Sequence, residues 1–160
     1  MKKLSLTFAL LAIATASHAE VRSEHNLPLS LANQLASQAV AACQEKGFAV
    51  TATVVDRAAQ IKAVQRADNA GPHTLDSALH KAYTAGSMKA PTSVVLENSQ
   101  KFPAAQHLGD IPGLLLLAGG VPVKVGNETI GAIGVGGAPS GQIDEQCAQA
   151  ALDKAAAQLK

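Results

Sequence analysis

The chain has 160 residues and a formal net charge of +1, enough for one domain with a real core and too short for two comfortable ones. Without Lys2 and Lys3 the 13 basic residues fall to 11 against 12 acidic ones, and no basic run stands out, so the electrostatic footprint of a nucleic-acid binder is excluded. Charged residues make up 16% and hydrophobic ones 48%, which excludes a disordered chain.

Residues 1–19 read as a signal peptide. Met1-Lys2-Lys3 is a short positive start, Leu4 to Ala14 is apolar and uncharged, and Ser17-His18-Ala19 offers small residues at the −3 and −1 positions of a cleavage site. The apolar run is well short of the ~20 residues that a membrane span needs. The mature domain is therefore expected over residues 20–160, in a periplasmic or secreted setting. Cys43 and Cys147 then lie in an oxidising compartment, on two different predicted helices. They read either as two small buried side chains or as a disulfide, and the bridge follows if the first and last helices pack side by side.

Val21 to Leu29 is an exposed lead-in with Arg22, Glu24 and His25. Ser30 is placed to cap a first helix whose inner face carries Leu31, Leu35, Ala39, Ala42 and Cys43, with Gly47 ending it. Val50 to Val55 is a β-branched strand, Asp56 to Gln60 turns the chain, and Ile61 to Arg66 returns as a hairpin partner. After the Asp68-Asn69-Ala70-Gly71-Pro72 loop a second helix begins near His73. Leu75, Ala78, Leu79, Ala82 and Gly86 form its buried stripe, and His73, Ser77, His80 and Thr84 a polar face. A short third helix over Val94 to Phe102, capped by Thr92 or Ser93, ends at Pro103 and gives way to an irregular loop through His107 and Gly113.

Leu114 to Leu117, Val121 to Val125 and Thr129 to Val135 are three short apolar runs separated by Gly119-Gly120 and Gly126-Asn127, the pattern of an antiparallel meander. A last helix places Asp144 and Glu145 in its first turn and repeats Ile143, Cys147, Ala151, Ala155 and Leu159 every four residues. The whole predicts an α+β domain with a five-stranded, largely antiparallel sheet flanked by helices.

Chemical motifs are mostly negative. Gly131, Gly134 and Gly136 reverse the dinucleotide order and end a late strand, so they read as close helix–sheet packing positions. Ser140 does not sit in a nucleophile elbow. Backbone amides at the start of the last helix offer an anion site, but Asp144 and Glu145 already complement that end. No cysteine–histidine cluster has zinc spacing.

Several separated blocks resemble the GlcG/HbpS family of haem-binding proteins. They are Val54-Val55-Asp56-Arg57, Arg66 to Pro72, Lys81 to Ala85, Ala90-Pro91-Thr92, Asp110 to Gly113 and Ala118 to Val123. The strongest is Gly131 to Gly141 followed by Asp144-Glu145. The likeness runs from about Leu29 to the end. It implies a profilin-like fold, homo-oligomers, and binding of haem or a related tetrapyrrole, with haem buffering or redox sensing through an extracytoplasmic sensor partner in exported members. The acidic i,i+3 pair associated with surface iron binding in the family is absent. Two other readings stay open: a small enzyme that degrades haem or acts on a small organic acid, and an interaction or sensing module without haem. No triad, metal cluster or cofactor fingerprint supports an enzyme.

Beyond residue 19 the aromatic side chains are Phe48, Tyr83 and Phe102. So few large apolar groups predict a shallow site shared between subunits, of modest affinity. Imidazole is a common axial ligand of haem iron. His107 ranks first, because it precedes Asp110-Ile111-Pro112-Gly113, a position that resembles a haem-contacting loop of the family. His25 and then His73 follow; Tyr83 and Met88 stand behind the four histidines as candidates, and His80 and Tyr83 read as packing residues.

Overall fold

The computed structural model describes residues 20–160, so the expected signal peptide lies outside the described residues. Four helices and four strands follow in the order α1 (Leu29–Gln44), β1 (Thr51–Asp56), β2 (Ile61–Arg66), α2 (His73–Met88), α3 (Thr92–Lys101), β3 (Gly120–Val125), β4 (Glu128–Gly136) and α4 (Gly141–Lys154). Single 3-10 turns lie at Pro103–Ala105, Leu108–Asp110 and Ala156–Gln158. The strands form one antiparallel sheet in the order β2-β1-β4-β3.

The alternation of side chains along the strands assigns each face a helix layer. Ala52 and Val54 of β1, paired with Val135 and Ile133 of β4, join Val121 and Val123 in the large core under α1 and α4. Thr51 and Val55, paired with Gly136 and Ala132, face α2 instead. Because β1 and β4 are central and covered on both sides, they read as continuous apolar or small runs. The edge strand β2 keeps Ile61 and Val64 exposed.

The α2 face is made of small residues because the helix lies against the strands. A Cβ built on Gly134 would fall on the backbone of Ala78 and Ala82, and one on Gly136 would meet the Ser77 hydroxyl. These glycines are packing positions, as their sequence context suggests. Gly126 serves a different purpose: it takes φ +56° in the two-residue turn between β3 and β4, where nothing crowds it. On the opposite layer, Cys43 and Cys147 are joined in a disulfide with their Cα atoms 5.5 Å apart, tying the end of α1 to the first half of α4.

The expected fifth strand does not form. Leu114 to Leu117 bends instead of extending: Leu114 N–H donates to the Ile111 carbonyl, Leu117 N–H to the Leu115 carbonyl, and Leu115 N–H to the Thr84 hydroxyl. With these donors engaged in turns and on α2, no ladder is made. Gly119-Gly120 is consequently an entry into β3, not a hairpin turn.

Smaller corrections concern helix ends and faces. α1 starts at Leu29 with Pro28 in the cap position, so Ser30 is inside the helix; Pro28 supplies the carbonyl that receives Ala32 N–H. α3 starts at Thr92, and the hydroxyls expected to cap it bond elsewhere. Leu75 is exposed at 44%, whereas Thr84, read as polar and outward, is fully buried. His80 is exposed and is not a packing residue. Among the described residues no helix is long and apolar enough to cross a membrane.

Candidate functional site

The three ranked histidines sit on three different parts of the fold. His107 lies between two 3-10 turns, in the stretch linking α3 to β3, and its Nδ1 bonds Asp110 Oδ2 at 2.9 Å. Both side chains are open to solvent. His25 lies in the lead-in, where its Nδ1 bonds Glu128 Oε2 at 2.7 Å at the start of β4. His73 opens α2, with its ring folded over Gly71. The structure does not bring them together. His25 contacts the first residue of β4, and the first turns of α2 lie by its last, so His25 and His73 sit toward opposite ends of that strand.

His25 and His107 share one chemical feature. Each ring has Nδ1 taken by a carboxylate, leaving Nε2 without a partner among the described residues. A carboxylate on one ring nitrogen fixes the orientation of the imidazole and raises its basicity as a metal ligand. The His25 arrangement is the more firmly built. Glu128 also receives the Arg57 guanidinium, Arg57 Nε bonds Glu24 Oε2 at 3.0 Å, and Asn26 Oδ1 accepts from the Arg57 backbone N–H. Leu27, buried behind it, pairs its N–H with the Ile130 carbonyl, so the lead-in is clasped to the sheet and not simply exposed. The His25 imidazole, and after it Arg57, hold the Glu128 carboxyl below the ordinary carboxylate range, against the opposing effect of desolvation.

The loop beyond His107 is apolar. Ile111 and Leu117 are exposed, Leu114 to Leu116 half-buried, and a Cβ on Gly113 would stand 3.1 Å from Tyr83 Cε1, so the loop lies across the Tyr83 ring. Behind this region is a group of residues not foreseen as important. Lys81 is fully buried on the inner face of α2, where its Nζ donates to Asp144 Oδ2 at 2.7 Å and to the Val135 carbonyl at 3.0 Å. Asp144 Oδ1 accepts from Ala138 N–H at 3.0 Å. Desolvation pushes the Asp144 carboxyl above its ordinary range, opposed by Lys81 and by the amides of Ala138 and Gly137. Beside it, the Glu145 carboxylate accepts from the Ser93 hydroxyl at 2.7 Å, the Ser93 amide at 3.3 Å and the Gly119 amide at 3.3 Å. Asp144 and Glu145, read as partners of the helix dipole, thus fasten α2, α3 and the entry to β3 onto α4. An open groove along α4, lined by Gln142, Glu145, Gln146 and Gln149, carries no histidine. Among the described residues no three His, Cys, Asp or Glu side chains gather as a metal site.

The model of the HbpS-like family, described as haem degrading protein HbpS-like, matches residues 27–153. The chain belongs to the HbpS-like family. A double mutant of HbpS from Streptomyces reticuli is 41% identical and superposes with a TM-score of 0.80 over 90% of this chain and 97% of that one. An uncharacterized 15.0 kDa protein from the dhaT-dhaS intergenic region of Citrobacter freundii is 31% identical, over 79% of this chain and 90% of that protein. The fold also matches PduOC, solved as a heme complex, with 24% identity and a TM-score of 0.71 over 80% of this chain and 94% of that one.

Within this HbpS-like domain, the Lys81–Asp144 pair had a legible signal. Lys81 falls three residues after Ala78 and four before Ala85, squarely on the sheet-facing stripe, and Asp144 precedes Cys147 by three. The charge on each argued against burial, since lysine and aspartate are almost never fully buried unless paired.

Proposed function

We propose that this HbpS-like protein is an exported haem-binding protein. The observation that carries the reading is family membership over residues 27–153, joined by the heme complex of a protein with the same fold. The donor chemistry supports it: His25 and His107 each present Nε2 from a ring oriented by a carboxylate, and the loop after His107 offers an apolar surface. Haem, when bound, would supply an iron that the imidazole of His25 or His107 would hold. A carboxylate accepts from a protonated ring nitrogen, so the Nδ1–H tautomer paired with Glu128 or Asp110 would leave the Nε2 lone pair free for iron. Ile111, Leu117 and the half-buried leucines between them would hold the apolar ring and exclude water from it.

One chain has too few large apolar side chains to enclose a macrocycle, so the site is shallow and shared with a second copy in a homo-oligomer. His73, whose ring lies on Gly71 without a carboxylate, ranks below the other two. The pattern of residues 1–19 and the Cys43–Cys147 bridge support a periplasmic or secreted setting. There the protein buffers haem or reports it to a sensor partner. Haem titration of the purified apoprotein tests the reading: a saturable Soret shift is expected, and its absence overturns it. Because the family description names haem degradation, peroxide-driven release of iron from the loaded protein separates an enzyme from a binder.

A further inference from the structure

From Val94 to Leu117, through most of α3 and the loop that follows it, the chain makes a long excursion before β3. Its two ends meet. Thr92 Oγ1 accepts from Gly120 N–H at 2.8 Å, and the Glu145 carboxylate receives Ser93 at the start and Gly119 at the finish. Inside the excursion, the ion pairs Glu97–Lys101 and His107–Asp110 are local. The hydrogen bonds are likewise confined to the segment and the turn leading into it, with one exception among the described residues: Leu115 N–H to Thr84 Oγ1 at 2.8 Å. Of these side chains only Val95 and Ser99 are buried. A segment with few buried groups and closed ends opens at far lower free energy than the body that carries it.

We propose that residues 94–117 are a flap, hinged at the Thr92–Gly120 base on Glu145 and latched by the Thr84 hydroxyl. Opening uncovers Tyr83 and the half-buried Leu114 to Leu116, and carries His107 with it. The face exposed is apolar and suits a flat macrocycle; this role rests on the haem-binding reading, while the flap itself does not.

Hydrogen exchange of the apoprotein tests the flap without any ligand. Thr84→Val removes the acceptor of Leu115 N–H and is expected to speed amide exchange across residues 102–117 about tenfold, the loss of roughly one hydrogen bond. Thr84→Ser restores protection, and the amides of β1 and β4 stay as in the wild type. Unchanged exchange in the flap, or equal acceleration in β1 and β4, overturns the proposal. Should Thr84→Val unsettle the whole molecule, Tyr83→Leu removes the ring beneath Gly113 with the latch intact and is read by the same pattern. Saturating haemin is then expected to slow exchange in residues 102–117; haemin that binds and leaves them unprotected overturns the gating role. Haemin that does not bind at all defeats the haem reading, with the apoprotein comparison still deciding the flap.

Discussion

Lys81 and Asp144 show most clearly what a single residue does here. Two opposite charges, both almost fully removed from water, close the space between α2, the end of β4 and the start of α4. Such a pair contributes little net stability over an apolar one, but breaking it leaves a buried charge alone. Lys81→Met is therefore expected to cost about 3–5 kcal/mol at neutral pH by denaturant unfolding. The deficit depends on pH with a definite sign. Desolvation already raises the Asp144 carboxyl, and without Lys81 it rises further. A carboxyl whose folded pKa lies above its unfolded value favours the folded state below the unfolded value, about 4, and loses that contribution as pH rises through the folded one. The Lys81→Met deficit should shrink on acidification, and Lys81→Met/Asp144→Leu should recover most of the loss. A deficit that does not change between pH 4 and pH 7 contradicts this account.

At the scale of elements, apolar stripes, cap residues, Pro103 and turn residues in the sequence placed the four helices and two hairpins of the described residues. β-branching marked β1, and the two residues Gly126-Asn127 marked the β3–β4 turn. Leu114 to Leu117 misled because four leucines in a row carry no period: an extended strand and a bent loop lying on a helix bury them equally well. The contact that decides between them, Leu115 with Thr84, joins residues far apart in sequence. The glycines of β4 were legible as packing positions, though not their partners. Gly134 lies under Ala78 and Ala82, backbone against backbone, so Gly134→Ala has no flexible atom to displace. It is expected to cost about 2–3 kcal/mol or more through overpacking, whereas Gly126→Ala, in open space at φ +56°, costs about 1 kcal/mol from conformation alone. Chemical unfolding of the two variants side by side checks the order, and an equal loss would show that α2 does not press on the sheet as described.

For the whole molecule, the sheet is held between two unlike layers. α1 and α4 cover one face and are cross-linked, while α2 covers the other across small residues with the α3 excursion at its side. Removing the bridge by Cys43→Ser/Cys147→Ser frees the unfolded chain across 104 residues, expected to lower stability by about 4–5 kcal/mol in the chain-entropy description. Equal unfolding midpoints for the bridged and bridge-free proteins would argue against it. The candidate site was less legible than this scaffold, because what distinguishes one histidine from another is a neighbour that sequence does not order: Glu128 beside His25 comes from β4, far along the chain, and only Asp110 beside His107 is local. Whether an imidazole oriented by a carboxylate holds haem iron is tested by haemin titration of four apoproteins. These are the wild type, His25→Ala, His107→Ala and the double variant, compared by Soret position and dissociation constant. A saturable shift in the wild type that is weakened at least tenfold in one single variant and lost in the double is the predicted result; a double variant that binds with the wild-type spectrum and affinity would contradict it.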